Sequence, residues 1–154
     1  MIFSNLINRI ALALGVFLVS INALANETGY LHVQISNQTG NDCLLLFQKT
    51  VHGKLDSSPP QSLFVNQSAT FDISQTIIYG PDEILNYQCQ SKDNPIAFLS
   101  VKFEISQPLS IVFGKMPSLK LLESHGLAVN VSYAESSSVL VNNKSLINIE
   151  LRRE

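Results

Sequence analysis

The side chains that could carry chemistry in this chain are 3 His, 2 Cys and a scatter of carboxylates and serines. His52 stands beside Gly53 with Asp56 four positions on, and Glu123 lies two before His125. Either pair could ligate a metal if the fold brought a third group near. No His-x-His, His-Glu-x-x-His or Cys-x-x-Cys spacing occurs, so no metal site closes locally, and solvated histidines are the expected reading. Ser124 and His125 are neighbours, but no Gly-x-Ser-x-Gly elbow accompanies them. A triad assembled from distant residues stays open. Asp82 and Glu83 are adjacent, whereas glycosidase chemistry needs two carboxylates across a cleft. Neighbours on an extended chain point to opposite faces. No cofactor is expected. The residues point to a non-catalytic protein, with a hydrolase of non-local site as one alternative.

Cys43 and Cys89 have no His or Lys adjacent to them. A single structural disulfide is the expected state, because the chain opens on an export signal and exported cysteines meet oxidising conditions. Residues 1–25 carry Arg9, an apolar run over 10–21, and Ala23-Leu24-Ala25 as a small-x-small cleavage site. That run is too short for a confident span, and no later stretch is long and apolar enough for one. The expected organisation is a signal peptide over 1–25 and one domain over 26–154, periplasmic or secreted. The bridge would close a loop of about 47 residues, worth about 4 kcal/mol in chain entropy.

The elements that must position these groups read as strands. Leu31, Val33 and Ile35 alternate with His32, Gln34 and Ser36. Leu99, Val101, Phe103 and Ile105 alternate with Ser100, Lys102 and Glu104. Leu127, Val129, Val131 and Tyr133 form a third set, and Ile147, Ile149 and Leu151 a fourth. Shorter strands are expected over 69–73, 77–79, 84–89, 109–113 and 139–141. The run 43–49 is nearly all apolar and reads as buried on both faces. One short helix is expected after Pro117, with Leu119 and Leu122 on one face and Gly126 at its end. Polar turns separate the runs at 37–42, 56–60, 80–82, 92–95 and 142–143. The pattern predicts an all-β fold, an antiparallel β-sandwich of about 8–10 short strands with one intersheet disulfide. A small β-barrel is the alternative.

Composition narrows the partners. The chain has 154 residues, 10 Lys+Arg against 12 Asp+Glu and net charge -2. That length allows one domain, and no basic excess is present to displace counterions from nucleic acid. Apolar residues make up 45% of the chain, too many for a disordered protein. A membrane partner is disfavoured, because Trp is absent and Phe98 is the one aromatic that the strand register leaves outward. Asn-x-Ser/Thr triplets begin at Asn26, Asn37, Asn66, Asn130 and Asn143, and would accept glycans only in a eukaryotic secretory route.

Ser36-Asn37-Gln38-Thr39-Gly40 precedes Cys43, followed by Gly53-Lys54-Leu55 and Pro59-Pro60. Then come Asn66-Gln67-Ser68-Ala69-Thr70-Phe71 and Leu85-Asn86-Tyr87-Gln88-Cys89. This order resembles uncharacterised small exported proteins of Gram-negative bacteria such as Legionella. The resemblance covers about the first two-thirds of the domain and implies fold and compartment, with no activity attached. The pattern is also similar to that of aegerolysins, acidic β-sandwich lipid binders, from which it departs in lacking Trp. Pilus subunits of the chaperone–usher type end in an alternating strand with a penultimate Tyr, whereas this chain ends Leu151-Arg152-Arg153-Glu154.

The resulting expectation is an exported, non-catalytic sandwich that binds a macromolecule or serves the envelope. A lipid-binding or cytolytic sandwich is the second reading. Sandwiches bind through end loops and edges. The expected contact residues are therefore Asn37, Thr39, Asn41 and Asp42 in one loop, His52, Lys54 and Asp56 in a second, and Asp82 and Glu83 in a third.

Overall fold

The computed structural model describes residues 30–76, 79–90, 98–107, 116–135 and 144–154, and every regular element in them is a strand. The strands are β1 (Tyr30–Gln38), β2 (Cys43–His52), β3 (Lys54–Leu55), β4 (Ser62–Leu63) and β5 (Ser68–Ser74). They continue with β6 (Asp82–Gln90), β7 (Phe98–Ser106), β8 (Ser118–His125), β9 (Leu127–Glu135) and β10 (Lys144–Arg153). The first sheet has the order β3-β5-β1-β10-β9 and the second β4-β2-β6-β7-β8. The expected signal peptide and the short strands over 109–113 and 139–141 lie outside the described residues, as do 77–78. Among the described residues no helix is long and apolar enough to cross a membrane.

The sandwich forms because each long strand carries one apolar face. Leu31, Val33 and Ile35 of β1, Phe71 and Ile73 of β5, and Ile147, Ile149 and Leu151 of β10 are buried from the first sheet. Leu85 and Tyr87 of β6 and Val101, Phe103 and Ile105 of β7 meet them from the second. The Tyr87 and Phe103 rings stack at 6.5 Å. The Tyr87 hydroxyl donates to the Pro60 carbonyl at 2.9 Å, so a core residue also tethers the loop before β4. Burial pushes that phenol well above its ordinary range.

Glycine lets the chain pass between sheets at two corners. Gly53, at φ +94°, links β2 of the second sheet to β3 of the first. A Cβ there would meet the Ser74 carbonyl at 2.7 Å. Gly126, at φ +68°, makes the same passage from β8 to β9, and a Cβ would meet Leu99 at 2.7 Å. Both positions have a left-handed backbone, and at Gly53 the neighbouring backbone also leaves no room for a side chain.

Four expectations need correction. The Cys43–Cys89 disulfide is present, but it joins neighbouring strands of one sheet, not the two sheets. The cysteines are direct partners in the β2–β6 ladder, both on its inward face. The sheets are not wholly antiparallel, because β1 and β10 run parallel. Most of the chain separates these two strands, so no tight turn imposes an antiparallel pairing. The expected helix after Pro117 is β8, paired with β7. A bulge opposite Lys102 and Phe103 interrupts its alternation, and the resulting Leu119/Leu122 spacing imitates a helical face. Finally, β2 is not buried on both faces. Leu44 and Leu46 alternate outward from the buried Cys43, and a bulge between Leu45 and Phe47 shifts the register and turns Phe47 outward as well.

Candidate functional site

The expected contact loops divide between the two ends of the sandwich. β2 carries Cys43 at one end and His52 at the other, about 30 Å apart for an extended strand of this length. Asn37, Thr39, Asn41 and Asp42 lie at the first end. His52, Lys54, Asp56, Asp82 and Glu83 gather at the second, where His52 pairs with Asp82 across the ladder.

At the first end the polar side chains turn inward. Asn37, Thr39 and Asn41 are all buried. Asn37 Nδ2 donates to the Asn41 carbonyl at 2.7 Å and the Leu63 carbonyl at 2.8 Å. Its Oδ1 accepts from Thr39 N at 3.0 Å and from the Thr39 hydroxyl at 2.7 Å. The Thr39 oxygen accepts in turn from Asn41 N at 3.2 Å. Asp42 Oδ1 accepts from Val65 N at 3.0 Å and so fastens the turn after β4. These groups hold the loop and the β4–β5 turn together. The Asn37 amide is already occupied and is not presented to solvent.

At the second end, His52 Nδ1 lies 3.5 Å from Asp82 Oδ2 and its ring stacks on Tyr79 at 4.3 Å. Asp56 Oδ1 accepts from the Ser74 hydroxyl at 3.3 Å. Asp56 is therefore not joined to His52 as a ligand pair. Lys54 starts β3 and is exposed. Glu83 is fully buried, facing Thr50 across the ladder. Its two carboxylate oxygens complete no hydrogen bond among the described residues. Burial pushes the Glu83 carboxyl above its ordinary value, the nearby side chains of Thr50 and Gln48 offset part of that rise, and the Asp82 charge adds to it.

A raised carboxyl pKa in the folded state means the fold holds the proton more tightly than the unfolded chain does. Glu83 therefore contributes full stability below its unfolded value, near 4.5, and loses it as pH rises through the raised folded value. The variant Glu83→Gln, which imitates the protonated form, is expected to be more stable than the parent at neutral pH by about 1–3 kcal/mol. The advantage should shrink toward acid pH. Thermal melts of both proteins across the acid-to-neutral range check this, and parallel stability curves would overturn it.

The remaining expected catalytic groups do not converge. His32 pairs with Asp72 at 2.6 Å on the outer face of the first sheet. The Ser124 hydroxyl donates to the Leu127 carbonyl, while His125 continues on the outer face beside Ser100. Among the described residues no three His, Cys, Asp or Glu side chains gather in a metal-binding group.

The outer face of the second sheet carries the feature that the sequence pattern hid. Leu44 pairs with Gln88, Gln88 with Ser100, and Ser100 with His125, so these four side chains form one row across the sheet. The next row runs Phe47, Asn86, Lys102, Glu123. Exposure is 56% at Leu44, 56% at Leu46, 43% at Phe47 and 48% at Phe98. Apolar side chains thus border a shallow depression of about 500 Å³ whose polar lining is Asn86, Gln88, Ser100 and His125. Lys102 Nζ sits 5.8 Å from the Phe47 ring centroid and 3.6 Å from Glu123 Oε1. Of the exposed apolar residues on this face the sequence pattern turns only Phe98 outward. Leu44 and Leu46 take the outward parity and a bulge adds Phe47, but in an unbroken apolar run neither the outward face nor the bulge leaves a local signal.

No protein-family model matches the chain, and no curated protein matches it. Solved structures share its fold. The lipid binding protein Nakanori superposes with a TM-score of 0.61 at 10% identity, over 88% of this chain and 76% of that one. IP-1A from Alcaligenes faecalis gives 0.55 at 9% identity, over 85% of this chain and 95% of that one. The RahU protein, solved in complex with a TRIS molecule, gives 0.52 at 8% identity, over 82% and 96%. At such identities the likeness shows the sandwich architecture that these proteins have in common.

Proposed function

We propose that this protein is an exported, non-catalytic sandwich that attaches to a lipid surface through the outer face of its second sheet. The observation that carries the reading is the cluster of exposed Leu44, Leu46, Phe47 and Phe98 on that face. Several large apolar side chains exposed together on one sheet face mark a contact site. Withdrawing each of these half-exposed side chains from water contributes about 1 kcal/mol, and about 4 kcal/mol together. That is the scale of reversible surface attachment. Phe47 and Phe98 stand in for the absent Trp, and Lys49 and Lys102 project on the same face beside them. The likeness in fold to a lipid binding protein supports the reading, and the disulfide fits an oxidising, extracytoplasmic compartment.

Vesicle co-sedimentation tests it. The protein should pellet with vesicles, and Leu46→Ser combined with Phe98→Ser should weaken binding by about 30-fold, equivalent to about 2 kcal/mol. Both side chains are exposed, so the variant should keep the parental melting temperature. Failure to pellet with zwitterionic, anionic, sterol-containing and glycolipid vesicles alike would overturn the reading.

A further inference from the structure

The depression on the second sheet is lined differently from its rim. Asn86 and Gln88 are two residues apart on β6 and therefore project from the same face, about 7 Å from each other. Ser100 lies beside Gln88 on the next strand, and His125 beside Ser100 on the one after. The side chains of these four residues make no hydrogen bond among the described residues. By contrast, the polar outer face of the first sheet consumes its own groups, with Asn148 bonded to Ser132 and Arg152 to Glu150.

The chemistry of the lining selects a ligand class. Each amide offers a donor and an acceptor side by side, and the serine hydroxyl offers both from one atom. A hydroxyl group on a ligand needs that same pairing. Among the described residues no Lys or Arg lines the depression, so they offer a phosphate or sulfate no countercharge. Lys102, which projects from the same face in the next row, is paired with Glu123. Among the described residues no carboxylate lines it either, and Phe98 is the one Phe, Tyr or Trp in the lining, so they form no cage for a quaternary ammonium. Phe98 and Leu46 at the edge supply an apolar surface for carbon-bound hydrogens. Adjacent hydroxyls over an apolar ring face are the surface of a sugar.

We propose that this depression binds one neutral sugar ring, carried as the headgroup of the lipid to which the protein attaches. Asn86 and Gln88 hold neighbouring hydroxyls, Ser100 and His125 reach the far edge of the ring, and Phe98 packs on its apolar side. The inference rests on the lipid-surface reading, because Leu46 and Phe98 edge the depression, Leu44 and Phe47 project from the same face, and all four would enter the bilayer as the headgroup enters the depression.

The test compares phosphatidylcholine vesicles with and without a minor fraction of monogalactosyl or monoglucosyl diacylglycerol. In parallel, soluble methyl β-galactoside and methyl β-glucoside are titrated and followed by amide chemical shifts. At least one glycolipid should raise vesicle affinity about tenfold or more over phosphatidylcholine alone. The paired variant Gln88→Ala with Ser100→Ala should lose that gain, keep the residual phosphatidylcholine binding, and melt with the parent. Equal binding with and without glycolipid would overturn the sugar site and leave the lipid face standing. Shifts at residues 86–88 and 100 with a soluble glycoside, without pelleting on any vesicle, would keep the ring site and overturn its lipid attachment. No shift with either glycoside, together with no pelleting on these or on anionic and sterol-containing vesicles, would overturn both.

Discussion

Reduction of the Cys43–Cys89 bridge should lower the melting temperature by about 10–20 °C. The two cysteines are 46 positions apart. Between them lie the rest of β2, β3, β4, β5 and most of β6, elements drawn from both sheets. A cross-link over that span removes about 4 kcal/mol of chain entropy from the unfolded state, a large fraction of the 5–15 kcal/mol typical of a domain. Both cysteines are fully buried, so reduction requires denaturant or prior opening, and the free thiols should then be alkylated before refolding. Alkylation alone would crowd the core, so a Cys43→Ala, Cys89→Ala protein serves as the second measurement. Both forms should show the loss, and the double variant should show it without change in the secondary structure signal. Melts within about 2 °C of the oxidised protein in both forms would overturn the stabilising role.

Much of this fold can be read from alternation, and the misreadings have a common physical origin. β1, β7, β9 and β10 are visible because an apolar residue occupies nearly every inward position. The sandwich and the cysteine pairing follow from those strands and from there being only 2 Cys. Bulges break the rule in β2 and β8. One extra residue on a strand moves everything after it to the other face. In β2 this turns Phe47 outward beside Leu44 and Leu46, whose outward parity is concealed by the unbroken apolar run, and in β8 it imitates a helix. The candidate sites fail to read for a different reason. Asn37 continues the inward series of Leu31, Val33 and Ile35, and Glu83 begins the inward series of Leu85, Tyr87 and Cys89. Each strand extends past its last apolar residue, and the inward polar group at its end has the composition of a loop. The parity of the position is the signal, and it is legible in the alternation itself. The depression gives no such signal, because Gln88, Ser100 and His125 meet only through pairing among three strands.

Replacing Asn37 should therefore act on stability and not on binding. Its side chain satisfies two carbonyls, at Asn41 and Leu63, and one backbone N–H, at Thr39, all in buried surroundings. Its own backbone adds a bond from Asn37 N to the Gln67 carbonyl at 2.9 Å and another from Asn66 N to its carbonyl, also at 2.9 Å. Asn37→Ala keeps the backbone bonds and strands the partners of the side chain. Each orphaned buried group costs about 1–3 kcal/mol, and partial relaxation of the loop brings the expected loss to about 3 kcal/mol. Asn37→Asp separates the donor from the acceptor role. An ionised Asp still accepts from Thr39 but faces the Asn41 and Leu63 carbonyls with negative charge, so it should be at least as damaging as Ala at neutral pH. Protonation supplies one donor, so the Asp variant should recover ground on acidification relative to the Ala variant. Chemical denaturation of the three proteins at two pH values measures both effects. A loss under about 0.5 kcal/mol for Asn37→Ala, the size expected at an exposed loop position, would return Asn37 to the solvent-facing role its loop composition suggests. A large loss with vesicle binding retained, once the variant is folded, would instead fix the 37–42 loop as framework and leave the outer face of the second sheet as the binding surface.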